Sequence, residues 1–143
     1  MGSQKVRTVT SPTNPYYVSK HRMLELQHFC LQYREWKERR QQLYSEQERT
    51  SWRSNGTKQS NRNTENDPTG EIAVRIIFYS QKIELVEDTA KDAGEDLWRY
   101  LLLGVTRGLS YPTLKSVYGI PCGKDVYYRC YRKFFYILDR RRG

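Results

Sequence analysis

The feature that most constrains the fold is a run of apolar residues spaced alternately four and three positions apart. Its members are Ile72, Ile76, Tyr79, Ile83, Val86 and Ala90. On a helix of 3.6 residues per turn, this spacing places them all on one face. We therefore expect a helix over 68–92, with Pro68 in its first turn and Glu71 near its positive dipole end.

The same stripe has two interpretations. It is shorter than the three to four heptads that indicate a coiled coil. We interpret it as the core stripe of a helical bundle, because a small domain must bury apolar surface somewhere. The alternative is a homodimer contact through the residues Ile72, Ile76, Tyr79, Ile83 and Val86.

Other segments share helical spacing. One is predicted over 19–48, with Ser19 as its cap, and a further helix begins near Glu95 and ends at Gly108, which suits a left-handed terminal position. Residues 1–18 are expected to form a flexible tail. Residues 50–66 are rich in Gly, Ser, Asn and Thr, which is typical of a polar linker. We divide the chain into the tail, a helix with linker over 19–66, and a helical domain over 67–143.

Composition excludes several classes. No apolar run approaches the ~20 residues of a membrane helix, and the N-terminus lacks the apolar core of a secretory signal. Three cysteines cannot all pair within one chain, so a disulfide framework is not expected. We expect a cytoplasmic protein of a bacterial host cell, with no membrane partner.

The charge is unevenly distributed. The net charge is +9, yet residues 67–109 carry five basic and eight acidic residues, while residues 110–143 carry eight and two. The basic end predicts a polyanionic partner. The acidic middle is interpreted as a solvated face, or alternatively as a docking surface for host RNA polymerase or another protein.

The basic end also has the pattern of a helix-turn-helix. Ser110 and Pro112 suit the start of a short helix, Gly119 allows a sharp turn, and Ile120 can fill the angle between helices. A longer helix follows from about Gly123 to Asp139, apolar on one face and basic on the other. Such a helix can enter the major groove of DNA. The fold prediction is therefore all-α, with two longer N-terminal helices joined by a polar loop and a C-terminal helix-turn-helix domain.

These residues also carry a family resemblance. The segments Gly108–Tyr111, Gly119–Pro121, Val126–Tyr127 and Arg129–Leu138, with Leu114, resemble the C-terminal domain of phage late transcription regulators of the RinA and ArpU type. That domain is similar to region 4 of bacterial sigma factors. The resemblance covers 97–139, under a third of the chain. It implies DNA binding and control of phage gene expression.

The predicted function is sequence-specific binding of double-stranded DNA by a phage or prophage transcription regulator. Lys124, Tyr128, Arg129 and Arg132 are expected to reach the groove, where Arg can bind guanine edges with two hydrogen bonds, or phosphate, and Lys and Tyr hydroxyls can reach phosphate. Phosphates are assigned to Ser110, Tyr111, Lys115, Lys133, Arg140, Arg141 and Arg142. The alternatives are a DNA-packaging subunit like a small terminase, and a phage anti-defence inhibitor whose basic surface blocks a nucleic-acid contact.

No enzyme, cofactor or metal site is expected. His21 and His28 share a helix face near Cys30, but their spacing is not that of a zinc site. Cys122 lies near Lys124, which could lower the pKa of its thiol, yet a catalytic cysteine needs a histidine partner. The carboxylates between Glu84 and Asp96 are more simply explained as the solvated side of an amphipathic helix.

Overall fold

The chain is all-α in the computed structural model, which describes residues 11–56 and 68–143. No strand occurs within these two ranges. A 3-10 turn, Glu95–Leu97, joins the third helix to the fourth. The helices are α1 (Lys20–Cys30), α2 (Tyr33–Gly56), α3 (Pro68–Gly94), α4 (Trp98–Arg107), α5 (Tyr111–Ser116) and α6 (Lys124–Arg142).

The first compact unit combines the described part of residues 1–33 with residues 84–143. Its core is built by α1, α4, α5, α6 and the C-terminal part of α3. The fully buried side chains include Met23, Leu26, Leu101, Leu114, Ile120, Tyr127, Phe134, Phe135 and Leu138. Burying a side chain of this size stabilises the folded state by about 1.5–3 kcal/mol. This unit differs from the predicted domain over 67–143, because α1 packs with the C-terminal helices.

The second unit, residues 34–83, is an antiparallel pair formed by α2 and the N-terminal part of α3. Leu43 packs with Ile72 and Ile76 in a small core. The Arg40 guanidinium donates to the Ser80 hydroxyl at 3.1 Å. The earlier residue of α2 therefore contacts the later residue of α3, as in an antiparallel pair.

The apolar stripe of α3 is buried within the chain. Ile72, Ile76, Ile83 and Val86 are at most 8% exposed, and Tyr79 is partly buried. These residues are therefore part of the chain's own core, as the core interpretation predicts.

Three predicted boundaries were wrong. The helix over 19–48 is interrupted at Leu31–Gln32, where the Gln32 N–H bonds the Phe29 carbonyl instead of continuing the regular pattern. Neither glycine nor proline marks this break. Beyond it, Tyr33 is buried and its hydroxyl donates to the Glu87 carboxylate, so a tertiary contact holds the chain just after the break.

The other two wrong boundaries are helix ends that lie further along the chain than predicted. Helix α2 continues to Gly56, into the segment predicted as linker, while residues 57–66 of that segment lie outside the described residues. Residues 1–10, which make up most of the predicted tail, also lie outside the described residues. Helix α6 extends three residues past Asp139, so the terminal arginines form its last turn. Within the described ranges, no helix has the length and apolar character needed to cross a bilayer.

Candidate nucleic-acid interface

Two left-handed glycines shape the turns around the short helix α5. Gly108 ends α4 with a φ of 66°, and Gly119 follows α5 with a φ of 68°. Both conformations are readily adopted only by glycine. Ser110 occupies the extended cap position of α5, although its hydroxyl bonds that of Thr113 rather than the backbone. Ile120 is completely buried, as predicted for a residue filling the angle between two helices.

Hydrogen bonds fix the connection between α5 and α6. The Tyr111 hydroxyl donates to the Cys122 carbonyl at 2.6 Å, and the Tyr111 N–H donates to the Tyr128 hydroxyl at 3.3 Å. The Lys115 ammonium lies 3.4 Å from the Ile120 carbonyl, which it helps to satisfy. Tyr111 and Tyr128, both assigned to DNA from the sequence, therefore have structural partners inside the protein.

Helix α6 has two dissimilar halves. Lys124 and Arg129 in its first half are exposed, whereas Phe134, Phe135 and Leu138 in its second half are buried. The side chains of Arg132 and Lys133, between these halves, are half-buried. Within the described ranges, none of these four cations forms an ion pair.

The three arginines at the end of α6 lie against the protein's own groups. Arg141 forms an ion pair with Asp92 and donates to the Thr89 hydroxyl at 3.0 Å. The guanidinium of Arg142 is 3.9 Å from the centre of the Phe29 ring, and that of Arg140 is 4.6 Å from the Tyr136 ring. All three remain exposed, but Arg141 is already bound to an acid, so we assign it a structural role.

A cleft of about 420 Å³ runs along one side of α6. Arg129 and Lys133 line one wall, and Glu95 and Asp96 of the 3-10 turn line the other. Glu95 has a φ of 51°, which is uncommon for a residue other than glycine. Among the described residues, no ion pair of 4 Å or less joins the two walls. The acidic side chains thus lower the positive potential along this side of the helix.

Sequence reasoning missed the position of these two carboxylates. It placed both carboxylates in the first turn of the helix that begins near Glu95, on a solvated side. They instead form a 3-10 turn between the end of α3 at Gly94 and the start of α4 at Trp98. Gly94 is the only local signal of this end, because a glycine is often found where a helix stops.

The surroundings of the three cysteines raise the pKa of their thiols. Burial raises the pKa of Cys122, against the opposing charge of Lys115, so the expectation that Lys124 lowers this pKa was wrong. Burial likewise raises the pKa of Cys130 and, far more, that of the fully buried Cys30. In the part of the chain that the structure describes, no group of three His, Cys, Asp or Glu side chains is placed to hold a metal ion.

No family model matches this chain, and neither do any curated proteins or solved structures. The resemblance to phage late regulators consequently stays a prediction that depends on the residues quoted above.

Proposed function

We propose that the protein binds double-stranded DNA sequence-specifically through the first half of α6, as a phage or prophage transcription regulator. One observation carries this proposal. Arg129 and Lys124 are exposed, and form no ion pair with a described residue, on a helix whose start is fixed by a short helix and a glycine turn. A cationic helix presented in this way has the width and chemistry that the major groove accepts.

The roles of the side chains follow their positions along α6. Lys124 lies in the first turn, which reaches deepest into the groove in helix-turn-helix proteins. Arg129, one and a half turns later, can bind a guanine edge with two hydrogen bonds, and Arg132 extends the same face. The Lys133 ammonium is placed at the flank, where phosphates lie.

Groups outside this half of α6 contribute less. Ser110 and Lys115, near the start and end of α5, contact phosphates in this proposal, although Lys115 must share its ammonium with the Ile120 carbonyl. Arg140 lies about 24 Å along the helix from Lys124, since each residue rises ~1.5 Å. Arg140 and Arg142 therefore act only on the flanking DNA backbone.

The direct test is selection of duplex DNA from a random pool at about 50 and 200 mM salt, with the full-length protein. We expect a shared motif of a few base pairs at both salts. Non-specific binding should fall steeply between them, because each phosphate contact releases a counterion. Absence of an enriched motif at either salt would contradict sequence-specific binding and favour a protein-binding inhibitor.

The acidic wall of the cleft yields a second prediction. Neutralising both carboxylates by Glu95→Gln and Asp96→Asn should raise affinity for any duplex about 3- to 10-fold at ~0.1 M salt, because exposed charges within a Debye length of ~10 Å oppose the approach of phosphates. Fluorescence anisotropy with a labelled duplex would measure this.

The matched control for this pair is Glu46→Gln with Glu48→Gln on the exposed face of α2, which changes the net charge equally. If the α2 variant gained as much affinity as the cleft variant, the effect would be one of total charge. Glu95 and Asp96 would then have no special place beside the DNA.

A further inference from the structure

Helix α3 exposes an apolar patch on the side facing away from α2. Val74, Ile77 and Phe78 are 65%, 55% and 52% exposed. They lie within two turns of Ile76, which is buried against Leu43 on the opposite side of the helix. A helix that is apolar on two sides usually has a neighbour on each. Among the described residues of the unit 34–83, α2 supplies a neighbour for only one of them.

Opposite charges flank this patch along one helical line. Glu71 precedes Val74 by three residues, Phe78 follows four later, and Lys82 four after that. Residues at these spacings fall on one face of a helix. The Lys82 ammonium lies at the edge of the patch, 4.7 Å from the centre of the Phe78 ring and 5.6 Å from that of the Trp36 ring on α2. We call the set Glu71, Val74, Ile77, Phe78 and Lys82 the α3 outer stripe.

Two copies of the α3 outer stripe are complementary in charge when they run antiparallel. In an antiparallel pair centred between Ile76 and Ile77, Glu71 of one copy meets Lys82 of the other, and the apolar residues meet in the middle. A parallel pair would place Glu71 against Glu71 and Lys82 against Lys82, which is unfavourable. In a dimer with a two-fold axis, both copies use the same surface patch, so the patch must be complementary to itself.

We propose that the α3 outer stripe binds a second copy of this chain, so that two α3 helices pack antiparallel in a symmetric dimer. The dimer does not rest on DNA binding and uses different residues. Three apolar side chains per copy form a contact smaller than the ~1,600 Å² of a typical stable interface. We therefore expect a reversible dimer with a Kd on the order of 10 µM.

Charge reversal tests both the contact and its orientation. Sedimentation equilibrium of the full-length chain, from about 1 to 200 µM at ~0.05 M salt, should show a monomer–dimer equilibrium. Glu71→Lys should weaken the dimer about tenfold, since an introduced ammonium would then face Lys82 at both ends of the symmetric pair. The double variant Glu71→Lys with Lys82→Glu should restore the affinity.

Two further variants keep the test decisive. Ile77→Gln, at an exposed position, should leave a folded protein that is monomeric at about 200 µM, because it removes a central apolar contact. Glu48→Lys, an equal charge change on the exposed face of α2, should not affect the dimer. Circular dichroism spectra of every variant would confirm that α3 stays folded.

A wild-type chain that stays monomeric at the highest concentration would overturn the proposal. So would a dimer that survives Ile77→Gln, or a double charge reversal that leaves the dimer as weak as Glu71→Lys alone.

Discussion

Gly104→Ala should lower the free energy of unfolding by about 3 kcal/mol, at the upper end of typical costs for overpacking a core. A β-carbon at Gly104 would lie 2.1 Å from the Tyr127 hydroxyl oxygen, well inside van der Waals contact. Tyr127 is 1% exposed and cannot move without disturbing its neighbours in the core. Urea unfolding followed by circular dichroism would measure the loss.

Tyr127→Phe should repair most of this defect. Among the described residues, the buried Tyr127 hydroxyl has no hydrogen-bond partner, and burial raises the pKa of this group well above its ordinary value. Removing an unsatisfied hydroxyl should by itself raise the free energy of unfolding by about 1 kcal/mol. In the double variant, the nearest ring carbon would be 3.3 Å from the new β-carbon, which is tight but tolerable.

Gly123→Ala is the matched control for the same added methyl group. An added β-carbon there meets nothing within 4 Å, and its φ of −82° suits any residue. We expect a change of only a few tenths of a kcal/mol, at the low end of the cost of placing alanine at a capping position. If Tyr127→Phe left the cost of Gly104→Ala unchanged, the close approach of α4 and α6 would not be its cause.

Arg129→Ala should reduce affinity for the selected duplex by about 1–3 kcal/mol, roughly 5- to 150-fold, and relax specificity at one base pair. The side chain is exposed and forms no ion pair with a described residue, so its loss should leave stability nearly unchanged. Anisotropy titrations against the selected site and single-base variants would measure both effects.

Arg141→Ala is the matched control on the same helix, with an identical change in net charge. Its ion pair with Asp92 is half-exposed, so its loss should cost at most about 1 kcal/mol of stability. DNA affinity should change little, because Arg141 lies about 18 Å along α6 from Arg129. Equal losses of affinity in the two variants would contradict the assignment of base reading to Arg129.

Much of the fold follows from local pattern. The spacing from Ile72 to Ala90 predicts α3 because helical periodicity and burial agree over its whole length. Gly108 ends α4 as predicted, since a positive φ is costly for other residues. Gly119 also has a positive φ but lies in the turn after α5, which already ends at Ser116. The predicted end of α6, the basic helix of the helix-turn-helix pattern, lies about three residues before its observed end.

The sequence predicted which residue types form the candidate interface. It did not predict which of their side chains are bound to other groups of the protein. Tyr111, Tyr128 and Arg141 have the chemistry to bind DNA, yet each has a partner inside the protein. Nothing local distinguishes them from Arg129. The difference arises from residues far along the chain, such as Asp92, which only folding brings near.

The sequence alone therefore determined the helices, the turns and the sign of the charge on α6, because these depend on neighbours within a few residues. The tertiary structure decided the break at Leu31, the carboxylates facing Arg129 and the close contact of Gly104 with Tyr127. Each of these depends on packing between distant segments, which competes with local preference and overrides it where more apolar surface is buried.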